Sequence, residues 1–188
     1  MTAQIPDTFI YKGEEYSIVG ESGDGLINPR EFKLELMMAS TACWRGYLLT
    51  YELKDNQLLL KKLLCRLKEK IAIQEIQPKT PGKDESYMFN TKYDLNLPVK
   101  FTGSFLIARD FIREMYVHMG FPRPMAFRDV YRLEFEDGKL TLEKDLSEQM
   151  KEQRENDIMK DAQPNSPSEV DVSEWINKTF SLDHEKKD

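Results

Sequence analysis

The sequence predicts an α+β protein that is mostly β. Antiparallel hairpins form a curved sheet or partly closed barrel, one central helix over about 104–119 packs on it, and a charged C-terminal helix with a flexible tail follows. Three observations carry this reading. Strand-like segments turn back at Asp55-Asn56 and at Asp137-Gly138, dipeptides that accept the positive φ of two-residue hairpin turns. Between them, FTGSFLIARDFIREMYVHMGF brings Ile107, Ala108, Phe111, Ile112, Met115 and Met119 into one arc when residues advance by about 100°. After Leu142 apolar positions thin out and charge takes over.

A chain of 188 residues with 40% hydrophobic and 32% charged residues has the composition of a soluble protein, with one domain and an extension. No apolar run approaches the roughly 20 residues that span a bilayer, and MTAQIPDTF has no signal-peptide character. The expected compartment is the cytoplasm. The net charge of −6 is uneven: from Lys144 onward there are 12 acidic and 7 basic residues, leaving 21 acidic (33 less 12) and 20 basic (27 less 7) before it. A nearly neutral body lacks the basic footprint that a nucleic-acid binder needs.

In chain order, 9–11 and 16–19 read as two short strands joined through Lys12 to Glu15. GESGDGLINPREF lacks the ending of a P-loop and the GxGxxG spacing, so it reads as a connection. The run from Leu36 to Leu67 is β-rich. Counting outward from Asp55-Asn56 pairs Leu53 with Leu58, Glu52 with Leu59, Tyr51 with Leu60, Thr50 with Lys61 and Leu48 with Leu63. KIAIQEI, 70–76, reads as a strand, and 77–98 as a long surface loop of the kind that carries recognition. The helix over 104–119 has Ser104 or Thr102 as cap and stops at Gly120 and Pro122.

The second hairpin, counted from Asp137-Gly138, pairs Phe135 with Leu140, Glu134 with Thr141 and Leu133 with Leu142. Set side by side, 42–63 and 125–146 look like copies of one unit or like independent hairpins of similar pattern, each preceded by an aromatic-Arg pair, Trp44-Arg45 and Phe127-Arg128. The domains expected are therefore a β-rich body over 1–146 and an extension over 147–188. The extension comprises a charged helix, a Pro/Ser linker and a short amphipathic segment with Trp175, Ile176, Phe180 and Leu182 that docks back or binds a partner.

On a helix, Asp110, Glu114 and His118 would stack in a column that could tune a general base or supply metal ligands, or else form a structural ion pair. Arg109 and Arg113, with Tyr116 one turn on, form a second column that needs an acid of the body or a bound anion between its charges. Trp44, Arg45 and Arg128 are of the types enriched in binding hot spots, and such residues also cover sheet faces. Cys43 and Cys65 match no zinc or disulfide spacing and read as small core residues. GxSxG, HExxH, CxxC and EF-hand motifs are absent, so no catalytic, metal or cofactor site is assigned.

The binding candidates are Trp44, Arg45, Arg109, Arg113, Tyr116, His118, Arg128, Trp175 and Phe180. They lead to a non-enzymatic protein-interaction module, such as an inhibitor, immunity-type protein or adaptor, whose partner is another protein and neither nucleic acid nor membrane. The alternatives are a β-barrel holding a small ligand, for which ten Phe and eight Tyr provide the lining, and an enzyme using Asp110, Glu114 and His118.

Overall fold

A computed structural model of the chain describes residues 3–156. The turn dipeptides fold as their chemistry requires. Strands β1 (Thr8–Tyr11) and β2 (Glu14–Asp24) meet at Lys12-Gly13, with φ of 53° and 83°. Strands β3 (Tyr47–Lys54) and β4 (Gln57–Cys65) meet at Asp55-Asn56, with φ of 49° and 63°. After β5 (Thr91–Pro98) and β6 (Thr102–Phe111), β7 (Phe127–Glu136) and β8 (Lys139–Asp145) meet at Asp137-Gly138, with φ of 47° and 78°. Positive φ at both central residues is the type I′ geometry that matches strand twist.

These eight strands form one sheet in the order β5, β4, β3, β1, β2, β6, β7, β8, with all pairs antiparallel except β1 with β3. The sheet curls until β8 touches β4 at a single bridge, Gln57 with Lys139. The result is the mostly β, partly closed architecture that the hairpin signals imply, with one α-helix among the described residues, α1 (Ser147–Asn156), on its outside.

The helix expected over 104–119 is instead β6 followed by a loop with a short 3-10 turn at Arg113–Met115. The cause is burial on both faces. Phe105 and Ile107 point into the barrel, where a single cluster contains Phe9, Tyr51, Tyr93, Phe101 and Phe135. Leu106 and Ala108 point outward into a second cluster with Val19, Met125, Val130, Leu146 and Met150, the last two carried by α1 and the residue before it. A strand covered on both sides has no polar alternation, and its unbroken apolar run fits a helical arc as well.

Gly103 of β6 lies opposite Gly23 of β2, where neither position has room for a side chain. A Cβ there would lie 2.2 Å from the Ser22 carbonyl oxygen and 2.8 Å from Cζ of Phe101, and its partner Gly23 is equally confined by the Thr102 carbonyl. With φ at 153°, Gly103 also occupies backbone space that L side chains avoid. Gly103→Ala is expected to cost about 3 kcal/mol through clash and strain. Urea melts check this, and a loss below about 1 kcal/mol would show that the strand can move aside.

Other elements differ from expectation. The loop expected over 77–98 ends in β5, whose Thr91, Tyr93 and Leu95 are buried in strict alternation. Its Asn96 and Pro98 disguise a strand that pairs with β4 around a bulge. Segment 70–76 is not a strand but a turn, bridged locally between Ile73 and Ile76 with Gln74 at positive φ. The glycine-bearing stretch after Val19 continues β2 to Asp24 before it becomes a connection.

Both long hairpins keep the counted register near the turn and lose it at a bulge. Lys61 is extra in β4, so Thr50 faces Lys62 and Leu48 faces Leu64. Thr141 is extra in β8, so Leu133 faces Glu143 and Glu134 faces Leu142. Thr141 donates its hydroxyl hydrogen to the Glu134 carbonyl at 3.1 Å, and Leu142, turned outward, is 43% exposed.

Candidate functional site

Two loops carry most of the residues that the sequence singles out. Segment 36–46 enters β3 and contains Met37, Met38 and Trp44, all exposed; Trp44 retains 55% and Met38 61% of its surface. Segment 112–121 follows β6 and contains Arg113, Tyr116 and His118, exposed as well. An exposed Trp in the same loop as two exposed Met is unusual on a protein with a filled core.

An extended N-terminal segment stitches the two loops together. The Gln4 N–H donates to the Gly120 carbonyl at 2.7 Å, and the Ile5 N–H to the Ala42 carbonyl at 2.9 Å. The Gln4 side chain completes the seam: Nε2 donates to the Thr41 carbonyl at 2.8 Å, and Oε1 accepts from the Trp44 N–H at 3.3 Å. Loops that are some 70 residues apart in sequence thus flank one short segment.

Arg45 fastens this arrangement to the barrel. Its Nη1 and Nη2 donate to Asp7 Oδ2 at 2.8 Å and Oδ1 at 2.6 Å, a bidentate pair, and Asp7 Oδ1 also accepts from the Leu49 N–H at 2.6 Å. The guanidinium lies over the Tyr47 ring, 4.8 Å from its centroid. Burial pushes the Asp7 carboxyl above its usual range, against the pull of Arg45 and the Leu49 N–H. Arg45 is therefore a latch between the start of β1 and the start of β3, and its neighbour Trp44 is the residue presented to solvent.

The remaining candidates separate. Since 104–119 is not a helix, Asp110, Glu114 and His118 do not stack; all three are exposed, and His118 meets Tyr116 edge-on with ring centroids 5.4 Å apart. Nor do Arg109 and Arg113 form a column. Arg109 lies on β6, where Nε donates to Asp129 at 2.8 Å, Nη1 approaches Glu14 at 3.4 Å, and the guanidinium covers the Tyr16 ring. The acids expected beside it are those of the body.

Arg128 is exposed at the start of β7, whereas Phe127 is buried, so the two aromatic-Arg pairs occupy different environments. Trp175 and Phe180 lie outside the described residues.

Cys43 and Cys65 are buried free thiols. Burial pushes the Cys65 thiol up to about 12 and raises that of Cys43, whose Sγ donates to the Tyr47 carbonyl at 3.4 Å. Nucleophilic cysteines require the opposite shift. Among the described residues no group of three or more His, Cys, Asp or Glu side chains could hold a metal ion, and no helix is long and apolar enough to cross a membrane. No family model, no curated protein and no solved structure matches this chain.

Proposed function

We propose that this protein is a non-enzymatic interaction module that engages another protein through the surface carrying Met37, Met38, Trp44 and Tyr116. The observation that carries the reading is the contrast between exposure and fixation: the rings and thioethers face solvent, yet the backbone beneath them is held by the Gln4 seam and the Arg45–Asp7 latch. A preordered apolar surface loses little conformational entropy when a partner covers it, and Trp is the residue type most enriched in hot spots. Inhibitors, immunity-type proteins and adaptors work in this way, and we place the activity in the cytoplasm.

The small-ligand barrel has less support. The space inside the curled sheet is occupied by rings: Phe105 alone meets Phe101 at 4.8 Å, Phe9 at 5.5 Å, Tyr51 at 5.6 Å and Phe135 at 5.9 Å between centroids. The test is capture from the native host by wild-type protein, Trp44→Ala and Met38→Glu, each confirmed folded by circular dichroism. A stoichiometric protein partner should come down with wild type and be reduced about tenfold or more, the effect of roughly 1.4 kcal/mol, by either substitution. A partner held equally by all three overturns this surface, and a copurifying small molecule in place of a protein overturns the function.

A further inference from the structure

The loop that presents Trp44 also presents two thioethers, and a thioether is an apolar group that chemistry can make polar. We propose that Met37 and Met38 form a peroxide-sensitive modification site, at which oxidation to the sulfoxides turns their surface polar and leaves the fold intact. The consequence for binding rests on the interaction reading above; the modification itself does not.

Selectivity follows from which sulfur atoms an oxidant in water can reach. Among the described residues, Met38 keeps 61% and Met37 37% of its surface, whereas Met88, Met125 and Met150 are buried. Met115 packs against the outer cluster, and Met119 is half-buried. Cysteine thiolates ordinarily compete for peroxides. Here Cys43 and Cys65 are both buried, and burial raises both thiols, so each stays covered and protonated. A thioether has no proton to lose, so exposure governs its reaction.

The oxidant is hydrogen peroxide. A sulfur lone pair attacks one peroxide oxygen, the O–O bond breaks as the S–O bond forms, and the proton on the transferred oxygen passes to the departing one, which leaves as water. Sulfur loses two electrons and the peroxide gains them, and a thiol-dependent reductase reverses the change. Neither methionine belongs to a core cluster, so the added oxygen disturbs no packed interior. The backbone beneath them is pinned: the Met37 N–H donates to the Arg66 carbonyl at 2.8 Å, and the Met37 carbonyl lies so close to Gly46 that a Cβ there would come within 2.0 Å. The oxidised side chains therefore stay on the surface. A sulfoxide is a strong acceptor, and a partner that covers it without offering a donor loses affinity.

The experiment treats the full chain with dilute hydrogen peroxide and locates the added oxygen by peptide fragmentation in a mass spectrometer. Met37 and Met38 should each gain one oxygen at least about tenfold faster than Met88, Met125 and Met150, which react only through local opening. The circular dichroism spectrum should not change. Phenyl-agarose serves as a partner-free probe of the surface: the oxidised chain should be retained less than the untreated one, and methionine sulfoxide reductase should restore retention. In the double variant Met37→Leu, Met38→Leu, peroxide should leave retention at that variant's own untreated value. Capture of a protein partner should fall about tenfold on oxidation. Oxygen arriving first at Met115, Met119 or Trp44 would overturn the proposal, as would loss of structure once Met37 and Met38 have reacted. So would retention that peroxide leaves unchanged or lowers equally in the double variant, and partner capture that survives oxidation. If the untreated chain captures no partner while the resin still follows oxidation, the interaction reading falls and the modification site stands.

Discussion

Phe105→Ala is expected to lower stability by about 3–5 kcal/mol, whereas Phe111→Ala, six residues on in the same strand, should cost only about 1 kcal/mol. Phe105 has no exposed surface and lies at the centre of a ring cluster in which Phe9 and Phe135 meet it edge-on. Removing it opens a cavity whose aromatic walls come from three strands, β1, β3 and β7, and from the connection before β6, so no single element can move in to fill it. Phe111 packs edge-on against Phe127 at 5.3 Å but keeps 36% of its surface in water. A helix over 104–119 would reverse this order, because it places Phe111 in the middle of the buried arc. Urea melts of the two variants decide between strand and helix: equal losses, or a larger loss at Phe111, would sink the strand assignment.

The same contrast explains how much of the fold was legible. Hairpin turns are local events, and Asp55-Asn56 and Asp137-Gly138 state their geometry in two residues. The bulges at Lys61 and Thr141 are not local, because they are set by how a curled sheet must shift register to close. β6 misleads for a related reason: its outward residues Leu106 and Ala108 are apolar because Met150 of α1, more than 40 residues away, covers them. Such a run gives no evidence of period by itself.

Legibility of the candidate surface follows the same division. Trp44 and Arg45 stood out by residue type, and the structure gives them different duties, one presented and one used to hold. Asp7 and Gln4 gave no signal, since an acid and an amide in a short N-terminal segment are ordinary; only contact across 38 and 40 residues makes them part of the surface. Met37 and Met38 read as part of a strand-like run. Their exposure depends on the turn that holds 36–46 outside the sheet, with the Met37 N–H bound to the Arg66 carbonyl at 2.8 Å.

Asp7→Ala is expected to have the second large effect, about 2–4 kcal/mol. Asp7 is 12% exposed and Arg45 28%, so the substitution leaves a mostly buried guanidinium without its bidentate partner, although the Glu21 carboxylate still acts on it, and a Leu49 N–H without its acceptor. The shape-conserving comparison is Asp7→Asn, which keeps an acceptor for the Leu49 N–H but loses the ionic pair, and should recover part of the loss. Arg45→Met should cost less than Asp7→Ala, because it removes the cation together with its need for a partner. Location distinguishes a latch from a plain core contact. Asp7→Ala should speed amide hydrogen exchange at Ile5, Trp44 and Leu49 well before global unfolding, since the seam and the start of β3 then open as a unit. If the loss appears in the global melt alone, with exchange at Ile5 and Trp44 unchanged relative to the strands, then Arg45 stabilises the barrel without fixing the surface that Trp44 presents.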